Sequence, residues 1–438
     1  MDIIQWDKLK ASDRLQALKR PVAANRAQMR KTVSEMLANI KEKGDRVLFA
    51  YTEALDGVKL EKLRVSESEF SDASAIVTDD EIRLVKAAIE RIQNYHQAFL
   101  PEVKIIDTQD GVVCKKLTRP VNAVGLYVPG GSAPLISTLM MLAVPALLAK
   151  CPHKVLCTPP NKKGRVHPLL LVAAELCGIK EVYKLGGAQA IAAMAYGSES
   201  VRKVNKIYGP GNAWVTEGKV LVSQDPEGAA IDLPAGPSEV LVIADAMANI
   251  TFVAADLLAQ AEHGPDSQVI LITNSVQLAN DVLSEVERQS KNLSRDNITQ
   301  QALSHSHIIV VGSIEEAIEI NNIYAPEHLI LQVENAEEYL PSITAAGAVF
   351  IGAWTPEALG DYVTGSNHVL PTYGHAKSYS GLSVEDFMVS ISVQMASEKG
   401  IQSIGALAMA LADIEGLDAH KMAVKVRLEA LEVQNVRY

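Results

Sequence analysis

The sequence predicts an α/β fold built on largely parallel sheets. Short β-rich runs alternate with helical ones, turn residues punctuate the runs, and no repeat of fixed period competes with the alternation. The pairs are NAVGLYVPGG with PLISTLMMLAVPALLAK, HKVLCTPP with HPLLLVAAELCG, and EVYKLGG with AQAIAAMAYG. After Pro237 the pattern resumes with SEVLVIAD, ITFVAADLLAQAEHG, SQVILITNS, VQLANDVLSEVERQS, HIIVVGS and IEEAIEINNIYA. A strand, a crossover helix and a second strand make a parallel pair.

Before this core, residues 1–24 read as a short polar helical arm. SEMLANIKEKGDRVLFAYTEAL from Ser34 and DDEIRLVKAAIERIQNYHQAFL from Asp79 carry helical periodicity. The two α/β blocks meet near the Gly/Pro-rich stretches YGPGNAW and LPAGPSE, and the chain after about Gly381 is helical again. The expected organisation is an arm 1–24, a discontinuous α/β domain 25–129 with 239–381, a second α/β domain 130–238, and a helical tail 382–438. With 438 residues and about 150 per domain, roughly three domains are expected.

Composition narrows the function. The chain is 48% hydrophobic and 21% charged, with a net charge of -11 and a pI near 5.5. Phosphate backbones and anionic membranes demand clustered Lys and Arg, so neither nucleic acid nor membrane is expected as a partner. The N-terminus lacks a basic start and an apolar core, and the most apolar stretch is interrupted by Pro145. It reads as a buried helix, and the expected location is cytoplasmic. Cys114, Cys151, Cys157 and Cys177 form no CxxC pair, so they read as ordinary thiols and any metal is expected on nitrogen and oxygen ligands.

Several segments can carry chemistry. In QAEHGPDS, Gln260 and His263 share a face near a helix end stopped by Gly264 and Pro265. The helix dipole there favours a cation, although the segment alone reads more readily as a capping His beside a surface Gln. In PEHL, Glu327 and His328 stand at a loop-to-strand junction and suit proton transfer, or form a surface pair. ALGDYVTGSNHVLP carries Asp361 and His368 among Gly360 and Gly365; Asp361 is a ligand candidate or an Asx turn. EGLDAHK presents Glu415 and His420, the latter otherwise a solvated helix position. The glycine turns YVPGGS, LGGAQA and YGPGNAW each precede a helix, where free N–H groups favour phosphate, but none is a GxGxxG.

Taken in order, YVPGGSAPL, GGAQAIAA, YGPGNAWV, DLPAGPSEVLVIAD, QAEHGPDSQVIL, PEHLI, GDYVTGSNHVLPT and LDAHK closely resemble the histidinol dehydrogenases, over nearly the whole chain. The resemblance implies oxidation of L-histidinol to L-histidine in two hydride transfers to NAD, ending histidine biosynthesis. It implies one zinc per subunit on Gln260, His263, Asp361 and His420, with His420 and Glu415 coming from the other subunit of a domain-swapped homodimer. The matching NAD positions are Tyr127, Gln189 and Asn212, which puts the cofactor on the 130–238 side. The matching substrate positions are Ser238, Gln260, His263, His328, Asp361, Glu415 and His420, with His368 nearby. His328 is the expected base for the hydroxyl proton and Glu327 the expected activator of water. The implied core is two atypical Rossmann-like domains, as in aldehyde dehydrogenases, in keeping with the missing GxGxxG.

Three other readings compete: a zinc hydrolase with Glu327 as base, a dehydrogenase of another polar alcohol, and a catalytically inert NAD- or metal-binding protein. Retention of Ser238, Glu415 and His420 weighs against the second, and the Glu327–His328 pair against the third. YGHAKSYSG, with His375, is the least family-like stretch, and the first 25 residues are undistinctive.

Overall fold

The structure, a computed structural model, describes residues 1–21, 26–130, 134–234 and 236–435. The chain divides into two compact units, Met1–Phe99 with Val121–Phe387, and Leu100–Pro120 with Met388–Tyr438.

The first unit contains two wholly parallel sheets. One has five strands in the order Glu181–Lys184, His153–Thr158, Ala123–Tyr127, Lys206–Tyr208, Ala230–Ile231. The other has six, in the order Asp2–Gln5, His307–Val310, Gln268–Thr273, Glu239–Ala244, His328–Gln332, Ala348–Ile351. EVLVIA, QVILIT and HLILQ are buried at every position, as a parallel sheet covered on both faces requires. Alternate residues of Glu239–Ala244 feed two cores. Val240, Val242 and Ala244 meet the helices Ile250–Ala261 and Val276–Ser290, while Leu241 and Ile243 meet Ile314–Tyr324 and Trp6.

The apolar segment from Pro134 is the helix Ile136–Leu148, buried on nearly all sides. Pro145 lies inside it and leaves the Met141 carbonyl without its helical donor; Asn367 Nδ2 supplies one at 2.7 Å. Among the described residues, no helix is long and apolar enough to cross a membrane. All four cysteines are free thiols.

The structure redraws several expected boundaries. The arm 1–24 begins with the strand Asp2–Gln5, which pairs with His307–Val310 and extends the six-stranded sheet, burying Trp6 behind it. Residues 22–24 of that arm lie outside the described residues, as do Gly131, Ser132 and Ala133 of YVPGGSA and Ala235 of LPAGPSE. The expected grouping of 25–129 with 239–381 also changes. Val33, Met36, Leu37, Ile40 and Leu48 pack instead with the five-stranded core, and Ala123–Tyr127 is the central strand of that sheet. Their apolar faces complement the small-residue helix Gly187–Tyr196, a preference that periodicity alone does not encode.

The second unit is described by itself. Lys104–Gln109, Val112–Pro120 and Met388–Ala396 form an antiparallel sheet, followed by the helices Glu398–Ile414 and Asp418–Asn435. The tail 382–438 is therefore not wholly helical. MVSISVQMA alternates apolar with polar residues, the strand period, and the Asp110–Gly111 turn (Gly111 φ +81°) makes the facing hairpin. Ser397 caps the first helix by accepting from Gly400 N, and Gly405 admits Val424 and Leu428 of the second. This unit exposes Ile105, Ile106, Ile391, Leu407, Leu411 and Ile414.

Candidate functional site

The site begins at the amino ends of two paired strands. His328 stands beside Val240 in the parallel register, which brings Glu239 and Glu327 together just before it. The backbone of one residue, Glu239, then holds two side chains. The Glu239 N–H donates to Glu327 Oε2 at 2.9 Å, and the Glu239 carbonyl accepts from His328 Nδ1 at 3.0 Å. That bond puts the ring proton on Nδ1 and leaves Nε2 with a free lone pair; Nε2 is buried with no partner among the described residues. Glu327 and His328 are both buried, and Glu327 Oε2 lies 3.6 Å from His328 Nδ1.

The helix Ile250–Ala261 runs back to the same end and delivers Gln260 in its last turn. His263 lies just beyond the helix rather than within it, joined to the Gln260 carbonyl by a 3.2 Å backbone bond, because Gly264 and Pro265 stop the helix early. With its amide oriented to satisfy both neighbours, Gln260 accepts from Glu239 N at 2.9 Å and donates to Glu357. The short helix Glu357–Tyr362 places Glu357 and Asp361 one turn apart. Ligand atoms of His263, Glu357 and Asp361 all lie within 4.8 Å of one another, an imidazole and two carboxylates of the kind zinc takes. His368 donates from Nδ1 to the Asp361 carbonyl at 3.0 Å, and its Nε2 lies 3.3 Å from Thr138 Oγ1.

Burial sets the proton affinities here. It holds Glu327 and Glu357 well above the usual carboxylate range, and neighbouring carboxylates push them the same way; the Glu239 N–H opposes the rise at Glu327. Burial also pushes His328 down to about 3 and His368 down to about 4, so both imidazoles are neutral at pH 7. Several acids and a metal-competent donor set thus share one site, which runs from the buried Glu357 to the exposed His263. The acids favour a cation, and the neutral imidazole can accept a proton.

A separate cavity of about 890 Å³ lies at the carboxyl ends of the five-stranded sheet, the usual location for a ligand in such folds. Tyr127, Gln189 and Asn212 line it together with Asp56, Thr158, Lys162 and Trp214. Tyr127 Oη accepts from Gly187 N at 2.9 Å, and Gln189 Nε2 lies 3.5 Å from Asp56 Oδ2. Asn212 caps the helix Ala213–Gln224, accepting from Trp214 N and Val215 N. Gln189 Oε1 is buried with no partner among the described residues, an acceptor available to a donor on a ligand.

The first unit thus gathers Gln260, His263, Glu327, His328, Asp361 and His368 at one end of one sheet. Ser238 directly precedes Glu239 and is half-buried. Glu415 and His420 belong to the second unit: Glu415 caps the helix Glu398–Ile414, His420 lies in the first turn of Asp418–Asn435, and both are exposed. His375 stands edge-on to Tyr379 in a short turn of helix. The sequence reading missed Glu357 and Glu239. Glu357 had a signal, its spacing of four from Asp361; Glu239 had none, because it acts on the pair through its backbone N–H and carbonyl.

Comparison with known proteins shows the family. A family model described as histidinol dehydrogenase matches residues 18–428. The chain is 52% identical over 428 residues to a histidinol dehydrogenase of Xanthomonas campestris pv. campestris, covering 98% of this chain and 99% of that one. It is 48% identical over 435 residues to one of Vibrio vulnificus, covering 99% of this chain and all of the other. The crystal structure of histidinol dehydrogenase from Elizabethkingia anophelis superposes with a TM-score of 0.94 at 46% identity, over 99% of both chains. The chain belongs to the histidinol dehydrogenase family.

Proposed function

We propose that the chain oxidises L-histidinol to L-histidine through histidinal, reducing two NAD and completing histidine biosynthesis. The observation that carries this reading is the buried Glu327–His328 pair, with an open Nε2, beside a cation-competent donor set. His328 Nε2 accepts the hydroxyl proton as the first hydride leaves the carbinol carbon for NAD. Glu327 then removes a proton from water as its oxygen adds to the aldehyde carbon. His328 returns its proton to the former carbonyl oxygen, and the resulting hydrate gives a hydroxyl proton back to His328 and the second hydride to a second NAD, which leaves the carboxyl group of histidine. Glu327 suits this step because burial raises its affinity for a proton. The positive charge that His328 acquires is met by Glu327 at 3.6 Å and Glu357 at 3.9 Å.

Gln260, His263 and Asp361, with the partner subunit's His420, would hold zinc, and Ser238 and the partner subunit's Glu415 would contact substrate. When bound, zinc supplies a redox-inert Lewis acid that fixes the amino alcohol in place. Gln260 can join that set only by turning its amide oxygen from Glu239 N, a donor that Glu327 also uses. Tyr127, Gln189 and Asn212 are the proposed NAD contacts, supported by their common cavity. Two Rossmann-like domains and a swapped homodimer in the cytoplasm complete the proposal, and the exposed apolar side chains of the second unit suit a second copy. A zinc hydrolase has no support from the family match.

The test is NADH absorbance on adding histidinol, with and without a chelator. Two NADH per histidinol, abolished by chelation and restored by zinc, is the expected result. No NADH from a zinc-loaded preparation refutes the reading.

A further inference from the structure

The N-terminal arm reaches the back of the proton-transfer pair through one side chain, and we infer that Arg20 is a positioning residue for Glu327 and His328. The inference rests on the reading of those two residues as the proton-transfer pair.

Glu239 is the hub. Its N–H holds Glu327 and its carbonyl holds His328 Nδ1, so the placement of the two peptide groups flanking its α-carbon sets both side chains. The Glu239 carboxylate, with a side chain 3% exposed, fixes that stretch of backbone in turn. It pairs with Arg20 through Nε and through Nη2 at 2.9 Å, and it accepts from Tyr373 N at 3.0 Å.

The same guanidinium reaches the other strand. Nη2 donates to the Tyr324 carbonyl at 2.8 Å and the Ala325 carbonyl at 3.3 Å, and the group lies over the Tyr324 ring, 3.9 Å from its centroid. These residues lead directly into Pro326, Glu327 and His328. Ala325 sits at φ +54°, a left-handed conformation that a β-carbon disfavours and that surrounding contacts must hold. Arg20 therefore ties the start of Glu239–Ala244 to the turn entering His328–Gln332. The ladder between these strands begins at Val240 and His328, so the clamp acts just outside it, where the reactive side chains emerge. A planar fork of donors serves two carboxylate oxygens and two carbonyls together, which an ammonium does poorly.

The experiment compares Arg20→Ala and Arg20→Lys with the parent holoenzyme, reading kcat and KM for histidinol, thermal melting, and rescue by added methylguanidinium. Arg20→Ala is expected to lose about tenfold to a hundredfold in kcat with the KM for histidinol little changed. Methylguanidinium should restore part of the loss, and Arg20→Lys should fall between alanine and parent. A folded Arg20→Ala with parental kcat overturns the inference. So does a loss that follows the folded fraction alone and resists rescue. Should the alanine variant fail to fold, the lysine variant decides: lowered kcat at unchanged KM supports the clamp, and parental kcat overturns it. Glu327→Gln and His328→Asn are measured in parallel. If they turn over normally, the reading of the pair fails; if they are inactive while Arg20 variants are fully active, only the role of Arg20 fails.

Discussion

Lys219→Met should destabilise the first unit by about 3 to 5 kcal/mol and weaken the cavity at the five-stranded sheet with it. The Lys219 side chain is 4% exposed; Nζ pairs with Asp232, whose side chain is 1% exposed, and donates to the Gly209 carbonyl at 2.9 Å. Asp232 also accepts from Gly209 N at 2.8 Å. Methionine fills nearly the same volume, so the change removes a charge and little packing. It leaves a buried carboxylate with one backbone donor and a carbonyl with none, which is why the large estimate for a broken buried pair applies. Removing both charges should cost less. Lys219→Met/Asp232→Leu strands only the Gly209 polar groups, a loss of about 1 to 3 kcal/mol. Urea unfolding, followed by fluorescence and compared through a double-mutant cycle, reads these differences. Gly209 opens the turn that carries Asn212 into the cavity, and a β-carbon there would collide with the Tyr127 carbonyl. The single variant should therefore also raise the KM for NAD. A single-variant loss below about 1 kcal/mol, or a double variant no more stable than the single, refutes the account of a paired charge set by burial.

Three further outcomes are expected. Glu327→Gln should slow histidinal oxidation more than histidinol oxidation, by about a hundredfold or more on the aldehyde step; equal losses in stopped-flow assays on each substrate would argue against a water-activating role. Gly347→Ala places a β-carbon 2.5 Å from the Glu327 carbonyl and 3.2 Å from Leu370 Cβ, so it should cost about 1 to 3 kcal/mol and lower kcat; a variant with parental melting temperature and turnover would show that the backbone absorbs the methyl. His96, fully buried, has its pKa pushed by burial from 6.5 to about 4. The unfolded chain takes up that proton first, so stability is full above about pH 6.5 and falls by about 3 kcal/mol as pH drops toward 4. His96→Leu should flatten this part of the profile in urea titrations at stepped pH, and an unchanged slope would remove His96 as the cause.

The sequence by itself determined the strand–helix alternation, because a parallel sheet buried on both faces needs unbroken runs such as VLVIA and VILI. It also marked His263, Asp361, Glu327 and His328, and the colinear segments named the family. Pairing of distant segments was another matter. Only the fold placed Asp2–Gln5 against His307–Val310 and Ala123–Tyr127 at the centre of the five-stranded sheet, since each choice depends on edges and faces that no local pattern records. The hairpin Lys104–Pro120 and its partner Met388–Ala396 were missed for the same reason, although their alternation was there to read. The site divides along the same line. Residue types showed what Glu327 and His328 can do. Tertiary structure decided that the backbone N–H and carbonyl of Glu239 hold both, that Glu357 joins His263 and Asp361, and that Arg20 anchors the arrangement from behind. A hydrogen bond to a peptide group leaves no mark on residue type, so only coordinates in three dimensions reveal it.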